Sequence, residues 1–154
     1  MNDPRGHRAL PYHPDAYDEH FALRIPLLSW LVMAYAVHPQ VLLLLSHLPQ
    51  SGAEFSYLAN LVEVPALLAT LPAIAVLVAA ARRRPAAAAT VRWLWRHGAW
   101  LLLATLLANL GLCLMNRHGP WNLVRMVADA CAAVVLVAVP RVRDTFADFP
   151  TLPL

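Results

Sequence analysis

The run from Trp121 to Val139 is apolar, is bounded by Pro120 and Pro140, and carries Asn122, Arg125 and Asp129 within it. A helix needs about 20 apolar residues to cross the hydrocarbon core of a bilayer, and this run is of that length. Arg125 and Asp129 stand four residues apart, so a helix places them on one face. Ionisable groups at membrane depth are costly and turn toward other protein or a water-filled cavity. The chain therefore has to supply neighbouring spans, and three further apolar runs are available. Arg125 pairs either with Asp129 along its own helix or with Glu63 across to another.

The first of those runs extends from about Arg24 to Leu48. Pro26 falls in its first turn, where a missing N–H is tolerated. Pro39 lies inside it and removes a backbone hydrogen bond, which predicts a kink or a short break at His38–Pro39–Gln40. Pro49 to Gly52 has loop chemistry. A second span follows from about Tyr57 to Ala81, with Pro65 and Pro72 as local kinks, and Arg82–Arg83–Arg84–Pro85 ends it. A third runs from about Trp93 to Met115, uninterrupted from Gly98. Its lead-in, Val91 to Arg96, carries tryptophans and arginines that suit a bilayer surface. The expected fold is all-α: a polytopic membrane protein with four transmembrane helices in one bundle. Residues 1–22 form an N-terminal cytoplasmic or interfacial segment and 23–140 the membrane domain, with spans near 24–48, 57–81, 93–115 and 121–139. Residues 141–154 form a cytoplasmic tail, expected to be interfacial or weakly ordered.

Composition agrees. The 154 residues are 60% hydrophobic and 14% charged, against about 45–50% and 25% for soluble domains, and mean hydropathy is +0.54. No lysine occurs, so all twelve basic residues are arginine. A net charge of +3 invites a nucleic-acid reading, but the arginines flank the apolar runs, as membrane flanks do. No nucleic-acid partner is expected, and the lipid bilayer is. Arg5, Arg8, Arg24, Arg82, Arg83, Arg84, Arg92, Arg96, Arg141 and Arg143 fall on one side of the four spans, against Arg117 on the other. By the positive-inside rule both termini are cytoplasmic. The first apolar run begins too late and runs too long for a cleaved signal peptide.

Candidate chemistry is confined to polar groups at membrane depth: Glu63, Asn109, Asn122, Arg125, Asp129, His38 and His47. At about 1.5 Å per helical residue, Arg125 lies roughly 6 Å and Asp129 roughly 12 Å below the outer face. Glu63, Asn109 and His47 also fall in the outer half, and His38 nearer the middle. As a packing seam these groups bond across helices and fix the arrangement of the spans. Alanines at small-xxx-small spacing (Ala75 and Ala79, Ala104 and Ala108, Ala128 and Ala132) allow the close approach that this requires. The alternative is an outward-facing polar cavity for a small molecule, ion or proton. A minor alternative places a b-type haem between His47 and His118, which needs two histidines on different helices facing one plane; no haem attachment motif occurs, and no cofactor is expected. The group His13, Asp15, Asp18, Glu19 and His20 matches no metal-site spacing. With Tyr12, Tyr17 and Phe21 it reads as an interfacial lead-in, not a metal site. Cys113 and Cys131 lie at different depths and are expected to be free thiols. No phosphate loop, nucleophile elbow or HExxH occurs. The expected role is non-enzymatic, through contacts with a second copy or within a larger membrane complex.

Leu10–Pro11–Tyr12, Tyr17–Asp18, the segment Leu23 to Trp30, and His38–Pro39 together resemble the YfeZ-like family of small bacterial inner-membrane proteins of unknown function. In that family a Tyr–Asp pair precedes a first span that opens with proline and tryptophan. The resemblance covers the first 40 residues. It implies a bacterial inner-membrane location and four spans, and it assigns no activity and no catalytic residue.

Overall fold

A computed structural model describes residues 12–18, 22–46, 64–115 and 120–150. Among these the chain is helical: a short 3-10 turn at Pro14–Ala16, then α1 (Leu27–Ala36), α2 (His38–Ser46), α3 (Val64–Ala69), α4 (Leu71–Ala81), α5 (Ala89–Arg96), α6 (Gly98–Met115), α7 (Pro120–Ala138) and α8 (Pro140–Ala147). Val64–Ala81 and Gly98–Met115 are each long and apolar enough to cross a membrane. Two bent pairs, α1 with α2 at 58° and α7 with α8 at 68°, raise the number of candidate spans to four if each is counted once.

The breaks fall where prolines dictate. Pro39 has no N–H and its ring crowds the carbonyl four residues back, so α1 stops at Ala36 and the chain restarts at His38. The Tyr35 carbonyl that Pro39 leaves without its helical donor accepts from the His38 Nδ1–H instead. At Thr70, just before Pro72, a second break is filled by side chains. The Thr70 hydroxyl lies 2.9 Å from the Leu67 carbonyl and 3.1 Å from that of Ala66. The Gln40 amide of α2 donates to the same Leu67 carbonyl at 3.1 Å and also contacts the Thr70 hydroxyl. Hydrocarbon offers no water to a freed backbone group, so neighbouring polar side chains take its place.

Helix α6 is central and packs on α1, α3, α4, α5, α7 and α8. Met33, Ala73, Val76, Ala79, Leu102, Leu106 and Leu136 form the buried interior. The opposite faces are apolar as well, with Leu27, Leu31, Leu44, Leu68, Leu71, Val78, Leu107, Val127, Val134 and Val137 all exposed. Helices apolar all round suit lipid and not water.

At one end the N-terminal segment, the connection after α4 and the C-terminal helix knit together. Asp18 N–H donates to the Ala22 carbonyl and Arg24 N–H to that of Ala16, closing a small loop. The Leu23 N–H donates to the Asp148 carboxylate at 2.6 Å. Arg83 donates to the carbonyls of Leu23 at 2.8 Å and Asp148 at 3.0 Å, and its guanidinium lies 5.0 Å from the Trp95 ring centre. Burial pulls the Arg83 guanidinium below the usual arginine range, and Asp148 and Asp18 oppose that pull. The Trp95 indole N–H lies 3.0 Å from each of the carbonyls of Thr145 and Asp148, and its ring packs at a 34° tilt against Phe146, centroids 4.8 Å apart.

Three expectations change here. Trp95, expected at the bilayer surface beside Trp93, is fully buried, whereas Trp93 is exposed. The tail, expected to be interfacial or weakly ordered, forms α8 and buries Val142, Thr145 and Phe146. Pro140 ends α7 and fits the first turn of a new helix, and the 68° bend turns that helix back onto α5 and α6. The Ala104–Ala108 pair also departs from expectation, since both alanines face outward while Ala79 and Ala132 are buried.

The close approach of α8 depends on Gly98. A Cβ there would sit 2.7 Å and 2.8 Å from ring carbons of Phe146 and 3.2 Å from Val76 Cγ1. Because Phe146 is itself buried against Trp95, the ring has little room to yield. Gly98→Ala is expected to cost about 1–3 kcal/mol by overpacking, lowering the thermal midpoint of the purified protein. Gly111→Ala, whose Cβ meets nothing within 4 Å, should leave that midpoint unchanged or raise it.

A pH dependence follows from Tyr12, whose hydroxyl donates to Asp144 Oδ2 at 2.7 Å. That hydrogen bond, with smaller help from desolvation and the Asp144 charge, raises the phenol above its ordinary 10.0. A pKa raised on folding gives a contribution fully present below the unfolded value and lost as pH climbs through the folded one. Protease cleavage of the N-terminal segment should therefore rise as pH passes above 10, and Tyr12→Phe should show faster cleavage at neutral pH with no such step.

Candidate functional site

The last turn of α1 sets one wall of a polar seam inside the molecule. Tyr35 stands on it, and α1 packs against both α6 and α7. The Tyr35 hydroxyl donates to Asp129 Oδ1 at 3.0 Å and lies 3.4 Å from the Arg125 carbonyl. Asp129 is only 2% exposed. The His38 ring stacks on Tyr35 with centroids 5.0 Å apart. A carbonyl can only accept, so His38 Nδ1 carries the hydrogen directed at the Tyr35 carbonyl.

Sequence reasoning placed Asp129, Arg125 and His38 in one region, and the structure brings Asp129 and His38 together through Tyr35. The Arg125–Asp129 ion pair along α7 does not form among the described residues, where the one ion pair is His13 with Asp15 at 3.1 Å. Asp129 turns inward to the phenol while Arg125 stays partly exposed. Asn109 on α6 is 3% exposed, and its Oδ1 has no partner among the described residues. Cys113, one turn on from Asn109, is buried. Asn122 is half-buried near the start of α7 and is engaged in an interaction of its own. Glu63 and His47 lie outside the described residues, as does His118, and with them the haem reading. Cys113 and Cys131 are free thiols, one buried and one exposed.

The seam residue that sequence reasoning missed is Tyr35. Its signal was available: it stands four residues before Pro39, at the turn where the backbone loses a donor and a second polar group is most useful. Gln40 and Thr70 carry the same signal at the Pro72 break. Chemically the seam joins a carboxylate, a phenol and an imidazole on two helices, an arrangement suited either to locking two spans or to passing a proton. Among the described residues no three of His, Cys, Asp or Glu converge as a metal site.

A second polar centre lies at the knitted end. Between α5 and α8 is a cavity of about 410 Å³ whose walls include Arg92, Trp93, Arg96, His97, Phe146 and Phe149. Trp93 and His97 pack ring to ring at 4.6 Å, and His97 Nδ1 lies 2.9 Å from the Trp93 carbonyl. A smaller apolar groove nearby, lined by Trp100, Leu103, Leu136 and Val137, has Arg143 at its rim.

If the seam locks packing, Tyr35→Phe should cost about 0.6 kcal/mol and no more than about 1.7 kcal/mol, the range for hydrogen bonds between membrane helices. Asp129→Leu should cost no more than Tyr35→Phe, because it removes the buried carboxylate and leaves the half-buried phenol within 3.4 Å of the Arg125 carbonyl, whereas Tyr35→Phe leaves that carboxylate without its donor. Reversible unfolding of the purified protein in micelles checks both.

No curated protein and no solved structure matches the chain. A protein-family match covers residues 12–148, spanning both the seam and the knitted end. It does not carry the YfeZ name, and it agrees with the resemblance in assigning no activity. By this match the chain belongs to the family described as protein of unknown function, DUF2919.

Proposed function

We propose that this protein is a four-span integral protein of a bacterial inner membrane that acts without catalysis, as an interaction subunit for a second copy or a larger membrane complex. The observation that carries the reading is the closure of the seam. The one described carboxylate at membrane depth is almost fully buried and is held by a phenol from another helix. Buried polar groups that satisfy one another specify how helices pack, which leaves the outer surfaces for recognition. Helix α6 offers such a surface. Ala104 and Ala108 are exposed on it, and Gly111 opens onto empty space, a spacing that lets another helix approach closely.

Both termini and the connection from Arg82 to Arg96 are assigned to the cytoplasm. Supporting this, the knitted end gathers the N-terminal segment, that connection and α8, which together carry nearly all the arginines, and the positive-inside rule puts such an end in the cytoplasm. In a background with both native cysteines changed to alanine, Ala88→Cys should react with a membrane-impermeant thiol reagent only after cells are opened. Ala108→Cys should cross-link to a second copy or to a partner in intact membranes. Native mass spectrometry showing monomer alone, with no cross-link at 108, would overturn the interaction reading.

A second reading, passage of a proton or small ion through the seam, is favoured by Asn109 Oδ1, which is buried without a described partner, and by the absence of an ion pair at Asp129 among the described residues. It requires proton or ion flux in reconstituted vesicles that Asp129→Asn abolishes while the protein remains folded.

A further inference from the structure

We propose that the cavity between α5 and α8 binds the headgroup of an anionic phospholipid, with Arg92 and Arg96 holding the phosphate. This rests on the reading that the knitted end lies at a membrane surface.

Helix α5 is amphipathic in a specific sense. Trp95 is fully buried and Val91 and Leu94 pack against the core, while Arg92, Trp93 and Arg96 are exposed. Arg92 and Arg96 stand one turn apart and so share a face, and both line the same cavity of about 410 Å³. That volume is in the range of pockets that hold small molecules, about 300–1,000 Å³. Its remaining walls are largely aromatic: Trp93, Trp95, Phe146 and Phe149, with His97.

The charge of the cavity is fixed by where α8 sends its acids. Asp144 accepts from the Tyr12 hydroxyl and Asp148 from the Leu23 N–H, so both are engaged by the N-terminal segment. Neither lines the cavity, and among the described residues no other carboxylate does. Two guanidiniums thus face an aromatic-walled space with no acid among the described residues to neutralise them. Guanidinium matches phosphate in geometry and charge. Trp93 and Trp100 are both exposed near by, at 56% and 72%, a placement typical of the headgroup level. Basic pockets at the ends of membrane helices are suited to anionic headgroups. A separate apolar groove between α6 and α7, with Arg143 among its lining residues, is suited to an acyl chain. A free inorganic anion would use the arginines but not this groove or the aromatic walls.

The test uses purified full-length protein in neutral detergent micelles, titrated with phosphatidylglycerol or phosphatidylcholine, with retained lipid measured by native mass spectrometry. Retention of phosphatidylglycerol should exceed that of phosphatidylcholine by about tenfold. Arg92→Gln with Arg96→Gln should remove that preference, whereas Arg82→Gln with Arg84→Gln, an equal loss of charge at the same end, should keep it. Ala147→Trp, which fills the cavity with both arginines intact, should also lower retention. Equal retention of the two lipids, equal loss in both arginine variants, or displacement of the lipid by millimolar inorganic phosphate would each overturn the proposal. Micelles have no sides, so a wrong orientation would show in the Ala88→Cys labelling and leave this result unaffected.

Discussion

Backbone hydrogen bonding in a medium without water is the constraint on which this structure depends. Each internal proline removes one donor, and in hydrocarbon the carbonyl left behind has to find another. At Pro39 the adjacent His38 supplies it. At the Thr70 break, just before Pro72, the Thr70 hydroxyl and the Gln40 amide of a neighbouring helix both reach the Leu67 carbonyl. These polar side chains would be out of place in an apolar core, and the breaks explain their presence. They also tie α2 to α3, so a local defect becomes a contact between spans.

The seam and the breaks are connected through one short segment. Tyr35 gives its carbonyl to His38 and its hydroxyl to Asp129, and the two rings stack. The bend of the first apolar run is thereby fixed to the middle of α7. Movement of α1 relative to α7 has to break a buried hydrogen bond to a carboxylate, so this joint is stiff unless something else satisfies Asp129.

The other end is organised by the opposite logic. There polar groups come from segments outside the apolar runs, and Trp95 gathers them by packing on Phe146 and directing its indole N–H at the chain following α8. Gly98 admits the Phe146 ring because it lacks a side chain. With Asp144 and Asp148 committed to the N-terminal segment, the arginines of α5 are left facing a cavity. On the proposed reading, this basic surface beside exposed tryptophans is where the fold meets lipid headgroups.

The sequence by itself determined that the chain is helical and apolar enough for a membrane, and where its helices break, because composition, run length and proline chemistry are local properties. It also marked Asp129, Arg125 and His38 as costly groups in need of partners. Only the tertiary structure decided which partners those are. Arg125 and Asp129 share a helix face and carry opposite charge, yet the carboxylate is engaged by Tyr35, because burial favours a hydrogen bond from another helix at short range and Arg125 stays partly exposed. Trp93 and Trp95 look alike in sequence, and the packing of α8 made one a core residue and left the other at the surface. A tail with few apolar residues became a docked helix for the same reason. Its buried positions, Val142, Thr145 and Phe146, acquire meaning only once Pro140 has turned it back onto Gly98 and Trp95.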